Sequence, residues 1–210
     1  MSFELSIKRE LSAINNTANS QIAIETASDN DLVAAVLKGD ETAFVTLFER
    51  HKRRIARLAA RYFNRAEDVE EIIQISFTTA YFALKDFRGA YEKSFASWLL
   101  QITNHACLDA LRSKLRRRED LHCELNETEI AFLHSFLRDE SIETDAIFKD
   151  LANKLLARLK PEEQMVLRLL DAAEMSVQET SEITGWSISK VKTKAHRARK
   201  ALQKILHKFL

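Results

Sequence analysis

The sequence predicts an all-α fold built as two small helical domains joined by an acidic linker. Only 3 glycines and 1 proline occur in 210 residues, too few for the many turns of a β-rich fold. Hydrophobic residues make up 46% of the chain, enough for two packed cores. Residues 29–118 hold 16 basic and 12 acidic side chains, residues 119–150 hold 2 and 10, and residues 151–210 hold 12 and 6. Two basic blocks around an acidic one indicate two modules that meet a polyanion.

The cysteine and histidine pattern argues against disulfide and metal sites. Cys107 and Cys123 are too few for a disulfide framework, which fits a reducing compartment. His122, Cys123 and His134 do not have zinc-finger spacing. Phosphate-loop and nucleophile motifs are absent, so we expect no enzyme activity, cofactor or metal. No apolar run reaches about 18 residues, so we also expect no membrane span and a cytoplasmic location.

Residues 29–118 read as a series of amphipathic helices that follow a polar tail at 1–28. Apolar residues recur at spacings of three and four, which is the helical period. Gly39 and Asp40 interrupt the first of these patterns, and "RGAYEKS" forms a loop before the last helix. That last helix runs from about residue 95 to 118 and ends in the basic run "RSKLRRR".

Residues 151–210, which follow the acidic linker at 119–150, carry the signals of a helix-turn-helix. Pro161 suits the first position of a helix, since its missing N–H costs nothing there. Ser176 and Glu179 have capping-box spacing, so a new helix begins at about residue 177. Gly185 can end that helix in a left-handed conformation, and Ser187 or Ser189 can cap the next one. Helix, glycine turn and helix make the helix-turn-helix layout.

The second helix of this motif is strongly basic on one face. Residues 185–202 hold six Lys and Arg side chains and no acid. An apolar stripe at spacings of 3, 4, 3, 4 and 3 turns down, and the polar residues turn out. The outward set is Ser189, Lys190, Lys192, Thr193, His196, Arg197 and Lys200. Such a helix can enter the DNA major groove, with later basic residues on phosphates, although a solvated basic face is the plainer alternative.

Two further surfaces lie in the first block. A basic cluster of five residues, 112, 114 and 116–118, ends the helix that holds Trp98, Asn104, His105 and Asp109. Aromatic and amide side chains there could stack on unpaired bases, although a helix C-terminus attracts basic residues by its dipole alone. The helix around "VEEIIQISF" carries acids and no base between residues 69 and 84. That face fits a basic protein surface or plain solvation equally well.

The motifs in this order resemble a known family. "GDETAFVTLFERH", "EEIIQISFTTAYFALKDFRG", "FASWLLQITNHACLDALRSKLRRR" and "LKPEEQMVLRLL" followed by "SVQETSEITGWSISKVKTKAHRARKAL" are similar to extracytoplasmic-function (ECF) sigma factors of the sigma-70 family. The resemblance implies that residues 29–118 are sigma region 2, which binds the β′ clamp helices of core RNA polymerase and reads and opens the −10 element. Residues 151–210 would be region 4, which reads the −35 element of promoter DNA and contacts the β flap. The family often has an anti-sigma factor as a further partner.

The resemblance also implies roles for particular residues. The face that binds polymerase would use Glu70, Glu71, Gln74 and Phe77. The −10 element would be read by the loop at residues 88–95, and the strands would be opened with Arg88, Trp98, Asn104, His105, Asp109 and Arg112. His105 stands where the family usually has Asn. The −35 element would meet Ser189, Lys190, Lys192, Thr193, His196, Arg197 and Arg199.

Two other functions stay open on the sequence alone. A stand-alone helix-turn-helix regulator would bind a palindromic operator as a dimer, without polymerase. A helical adaptor would use its basic faces on acidic protein partners and would bind no nucleic acid.

Overall fold

The computed structural model describes residues 26–89, 94–118, 127 and 145–208, and within them every regular element is helical. The all-α prediction is confirmed. The predicted tail up to residue 25, part of the loop at 88–95 and most of the acidic linker lie outside the described residues.

Four helices form the N-terminal unit. They are α1 (Asp29–Leu37), α2 (Glu41–Ala59), α3 (Ala66–Ala83) and α4 (Ser94–Arg118), with a short 3-10 turn at Leu84–Asp86 after α3. Ser28 caps α1 by accepting a hydrogen bond from the amide of Asp31, and Asp40 caps α2 by accepting from two amides. Gly39 allows the turn between them because its φ is +99°, a left-handed value that side chains disfavour.

The core of this unit is aliphatic at its centre and aromatic at one side. Leu47, Ile55 and Ile72 are almost fully buried where α2 and α3 face each other. Phe77 packs edge-on against Phe44 and lies 4.6 Å, centroid to centroid, from the ring of Phe48. These contacts fix which face of α3 points outward.

The C-terminal unit contains the predicted helix-turn-helix. Its helices are α5 (Asp145–Leu156), α6 (Pro161–Leu167), α7 (Val177–Thr184) and α8 (Ile188–Leu206). α5 begins inside the stretch predicted as linker. The sequence also predicts a single helix over residues 161–173, but α6 widens into a π-helical turn at Arg168–Ala172.

The local signals of the motif are confirmed. Ser176 and Glu179 form a reciprocal capping box, in which each side chain bonds the other residue's amide. Gly185 ends α7 with a φ of +69°, and Ser187 caps α8 by accepting from the amide of Lys190. Val191, buried inside the unit, belongs to the stripe that holds α8 against α6.

Candidate nucleic-acid and protein interfaces

α8 presents its basic face to solvent. The seven residues predicted to meet the −35 element are all exposed: Ser189, Lys190, Lys192, Thr193, His196, Arg197 and Arg199. Three residues on the opposite side, Val191, Ala195 and Ala198, are buried. The small side chains of the two alanines let α8 lie close to α6. The geometry therefore offers one rigid helix with a continuous polar and cationic face.

Some cations around this face are held by acids of the same unit. Arg199 donates to Asp171 at 2.6 and 3.2 Å, and the hydrogen bond with Asp171 raises the pKa of Arg199. Lys194 pairs with Glu162, and the hydrogen bond from Lys194 lowers the pKa of Glu162. Lys194 is half-buried by this contact, which explains why it sits at the edge of the face and not on it.

Other polar groups of the face stay available. Lys192 and Arg197 make no ion pair with any residue in the described part of the chain. The ammonium of Lys190 lies 4.4 Å from the centroid of the Trp186 ring, a cation–π contact that leaves its charge intact. Lys190, Lys192 and Arg197 can therefore pair with phosphates or base edges without first breaking an ion pair to the described residues.

The outward face of α3 is acidic and, in part, apolar. Glu70, Glu71 and Gln74 are exposed, as the prediction for a protein-binding face requires. Phe77 is only 3% exposed and lies in the aromatic core. Its ring supports α3 from beneath and does not reach a partner in this conformation. Phe77 therefore lies on the inner side of α3, away from the face that its three predicted companions share.

Two exposed apolar residues on α3 are absent from the predicted binding set. Ile75 is 42% exposed and Phe82 is 72% exposed. They follow Glu71 by four and eleven residues, spacings that return to the same side of a helix. The spacing carries this signal, but the pattern alone does not show which apolar residues the core leaves out.

The predicted melting residues on α4 are partly exposed and partly buried. His105, Asp109 and Arg112 are exposed, as is Arg88 in the loop before α4. Trp98 is half-buried, with its ring centroid 5.1 Å from that of Phe87 and 5.8 Å from that of Phe95.

Asn104 is fully buried, and its Oδ1 accepts a hydrogen bond of 3.1 Å from the hydroxyl of Tyr62. Its amide nitrogen is buried without a hydrogen-bond partner among the described residues. In this conformation Asn104 shapes the helix and cannot touch a base.

The basic end of α4 is anchored at one point. Lys114 donates to Asp68 of α3 at 2.6 Å and lies 4.8 Å from the centroid of the Phe63 ring. Arg116 and Arg117 are exposed. The cluster is therefore a mixture of a structural tie and exposed surface charge.

The described residues contain no group of His, Cys, Asp and Glu side chains arranged to hold a metal ion. Among the same residues, no helix is long and apolar enough to cross a membrane.

Two family models match the two units. The model described as Sigma-70 region 2 matches residues 47–117, and the model described as Sigma-70, region 4 matches residues 150–202. The first contains α3 and nearly all of α4, and the second contains α6, α7 and most of α8.

Similar proteins cover most of the chain. The ECF RNA polymerase sigma factor SigM of Mycobacterium tuberculosis is 30% identical over 179 residues, which are 85% of this chain and 85% of SigM. The ECF RNA polymerase sigma-E factor of Haemophilus influenzae is 31% identical over 189 residues, with 85% and 95% covered. A solved structure of CnrH in complex with the cytosolic domain of CnrY matches with a TM-score of 0.48 and 24% identity, covering 86% of this chain and 98% of that one. From both family models and these relatives, the chain belongs to the ECF sigma factors of the sigma-70 family of RNA polymerase sigma factors.

Proposed function

We propose that this sigma factor binds core RNA polymerase through the outward face of α3, reads the −35 element with α8 and opens the −10 element with α4. Membership of the family makes the chain a factor for transcription initiation. The division of work among the three helices is our proposal. The observation that carries it is the exposure of all seven predicted −35 residues on one face of α8.

The face of α3 suits a protein partner better than DNA. Glu70 and Glu71 would repel phosphates but would attract a basic surface on polymerase. Ile75 and Phe82 add exposed apolar area on the same side, and a buried aromatic ring is the kind of anchor that dominates binding energy at protein interfaces. We therefore add these two residues to the polymerase-binding set and assign Phe77 to its support.

The face of α8 suits duplex DNA. A helix fits the major groove of B-DNA, and Lys, Arg and Ser side chains can donate to base edges and phosphates there. Lys192 and Arg197 are the strongest candidates for contacts because neither is held by an acid in the described part of the chain.

The exposed residues of α4 suit a separated strand. Taking a base out of the stack costs a few kcal/mol, which contacts on the protein must offset. Arg88, His105 and Arg112 could bind the backbone or base edges, and Trp98 offers a ring that is already partly accessible. Asn104 would contribute by positioning α4 through Tyr62.

Further parts of the proposal concern segments and partners beyond these faces. The acidic residues 119–150 would thread through a positively lined channel of polymerase, and the C-terminal unit would also meet the β flap. An anti-sigma factor is a partner that the family resemblance implies. A regulator or adaptor that works without polymerase is disfavoured by the match of residues 47–117 to region 2.

The test is co-elution of the purified chain with core RNA polymerase. We expect the wild-type chain to co-elute and Phe82→Glu to bind about tenfold more weakly or worse, since the anchor is replaced by a charge. Glu49→Lys is the matched control, because it alters an exposed residue of α2 on the same unit. Failure of the wild-type chain to co-elute would refute the polymerase-binding proposal.

A further inference from the structure

The C-terminal unit is docked against the N-terminal unit. Met165 of α6 and Leu169 of the π turn have no exposed surface, and both belong to the apolar cluster formed by α1 to α4. Met175, Ile183 and Trp186 pack against the same cluster from the rim. The apolar core of the N-terminal unit is therefore completed by side chains of the other unit.

Polar contacts at the rim fall on the predicted melting helix. The amide of Gln101 donates to the carbonyl oxygen of Glu182 at 3.3 Å, and Arg112 donates to Glu162 at 3.4 Å. Gln101 lies four residues before His105 and Arg112 lies seven after it, so the three share one side of α4. The docked unit holds both ends of the face on which His105 lies.

We propose that the C-terminal unit inhibits its own N-terminal unit by docking on α4 through Met165 and Leu169, and that it must undock before α4 can engage promoter DNA. The inference rests on the proposed function for the role of α4, whereas the docking follows from the contacts alone. DNA that follows the side of α4 marked by Gln101, His105 and Arg112 would collide with the docked unit at both ends.

The interface also contains a group that opposes docking. Arg168 is only 9% exposed, and it donates one hydrogen bond of 3.3 Å to the backbone oxygen of Arg61. Its Nε is buried without a partner, and no acid in the described part of the chain forms an ion pair with it. A buried guanidinium without a carboxylate is costly. Burial of Met165 and Leu169 favours docking while Arg168 disfavours it, the balance that a reversible contact needs.

The two units do not fit together completely. A cleft of about 270 Å³ remains between them and is lined from one side by Asn64 and Lys114 and from the other by Asn153 and Arg168. The connection between α4 and α5 runs from residue 119 to 144, a length of chain that could span up to roughly 90 Å. Undocking is therefore permitted by the covalent structure and needs no unfolding of either unit.

The experiment measures energy transfer between two dyes in the free, full-length chain. The dyes are attached at Arg53→Cys on α2 and Gln203→Cys on α8, two exposed positions on different units, in a Cys123→Ser background. Cys107 stays unlabelled because it is buried, and burial raises the pKa of its thiol. The docked chain gives high transfer efficiency, and Leu169→Glu lowers it because a carboxylate is excluded from the apolar cluster.

Two variants make the measurement specific. Ala172→Glu adds the same charge at an exposed position of the same turn and should leave the transfer unchanged. Gln101→Glu acts from the α4 side, where its carboxylate would face the carbonyl oxygen of Glu182, and should lower the transfer even if Leu169→Glu fails to fold. Circular dichroism identifies a variant that has unfolded.

A second measurement tests inhibition: the rate of association with core RNA polymerase on promoter DNA. We expect the undocked variant to form the promoter complex at least threefold faster than Ala172→Glu. Low transfer in the wild-type chain, transfer that does not respond to Leu169→Glu or Gln101→Glu, or equal rates of complex formation would overturn the proposal. Absence of any promoter complex, with transfer behaving as expected, would instead refute the proposed function.

Discussion

Asp29 ties the first helix to the second through two side chains. Its carboxylate accepts from Arg50 at 2.6 Å and lies 2.8 Å from the ring nitrogen of His51. Burial alone would raise the pKa of Asp29, but hydrogen bonds and charge from His51 and Arg50 outweigh it and lower the pKa from its ordinary value of 3.8. The folded chain therefore holds this carboxylate ionised more firmly than the unfolded chain does.

Asp29→Asn should destabilise the fold by about 1–2 kcal/mol at pH 7, because a charge-assisted hydrogen bond is removed. Since the folded pKa of Asp29 is depressed, its stabilisation is present above pH 3.8 and is lost as pH falls through the lower folded value. Urea unfolding across this range should show the difference between wild type and variant shrinking towards acid. A difference that grew with acid would contradict the assignment.

Two residues show how far a periodic pattern can locate functional side chains. The sequence places Phe77 and Asn104 on binding faces, but both are buried. The pattern of α4 cannot separate core from surface, because this helix packs against its own unit and also against Met165 and Leu169 of the other. The exposed faces of α3 and α8 are easier to predict, since each helix packs on one side only.

At the scale of the element, the helix-turn-helix is specified by short-range signals. Ser176, Glu179 and Gly185 are predicted to start and stop α7, and the structure confirms all three. Such signals are readable because each acts within a few residues. The π turn after α6 is not predictable in this way, since no comparable local signal marks the place where a helix widens.

Ser176→Ala should cost about 1 kcal/mol of stability, because the amide of Glu179 loses its cap. Gln178→Ala is the matched control, an exposed substitution in the same turn. Chemical denaturation of both variants measures the difference in free energy of unfolding. Equal effects of the two substitutions would show that the capping box contributes nothing.

Lys192→Ala should weaken binding of polymerase holoenzyme to promoter DNA and reduce its salt dependence. The slope of log affinity against log salt should change by roughly 0.9 for each phosphate that the variant no longer neutralises. Lys204→Ala, a basic substitution in the last turn of α8 beyond the predicted −35 set, is the control. Filter binding at several salt concentrations measures both slopes, and an unchanged slope for Lys192→Ala would remove this residue from the −35 set.

At the scale of the whole molecule, two basic units are predictable from the charge distribution, but their docking is not. Met165 and Leu169 have the spacing of ordinary core residues of their own helix, and no property of the sequence assigns them to the neighbouring unit. The docked arrangement covers part of α4 while it leaves the faces of α3 and α8 exposed. This arrangement suits a factor that meets polymerase first and engages the −10 strands afterwards.

The most direct test of the central claim is run-off transcription on genomic fragments with core polymerase, followed by mapping of start sites. We predict discrete transcripts that appear only when this chain is added, with two shared sequence elements at a fixed spacing upstream of the starts. Lys192→Ala should reduce these transcripts and Lys204→Ala should not. If the chain co-elutes with core polymerase yet adds no discrete start sites, its assignment as a promoter-specificity subunit would be contradicted.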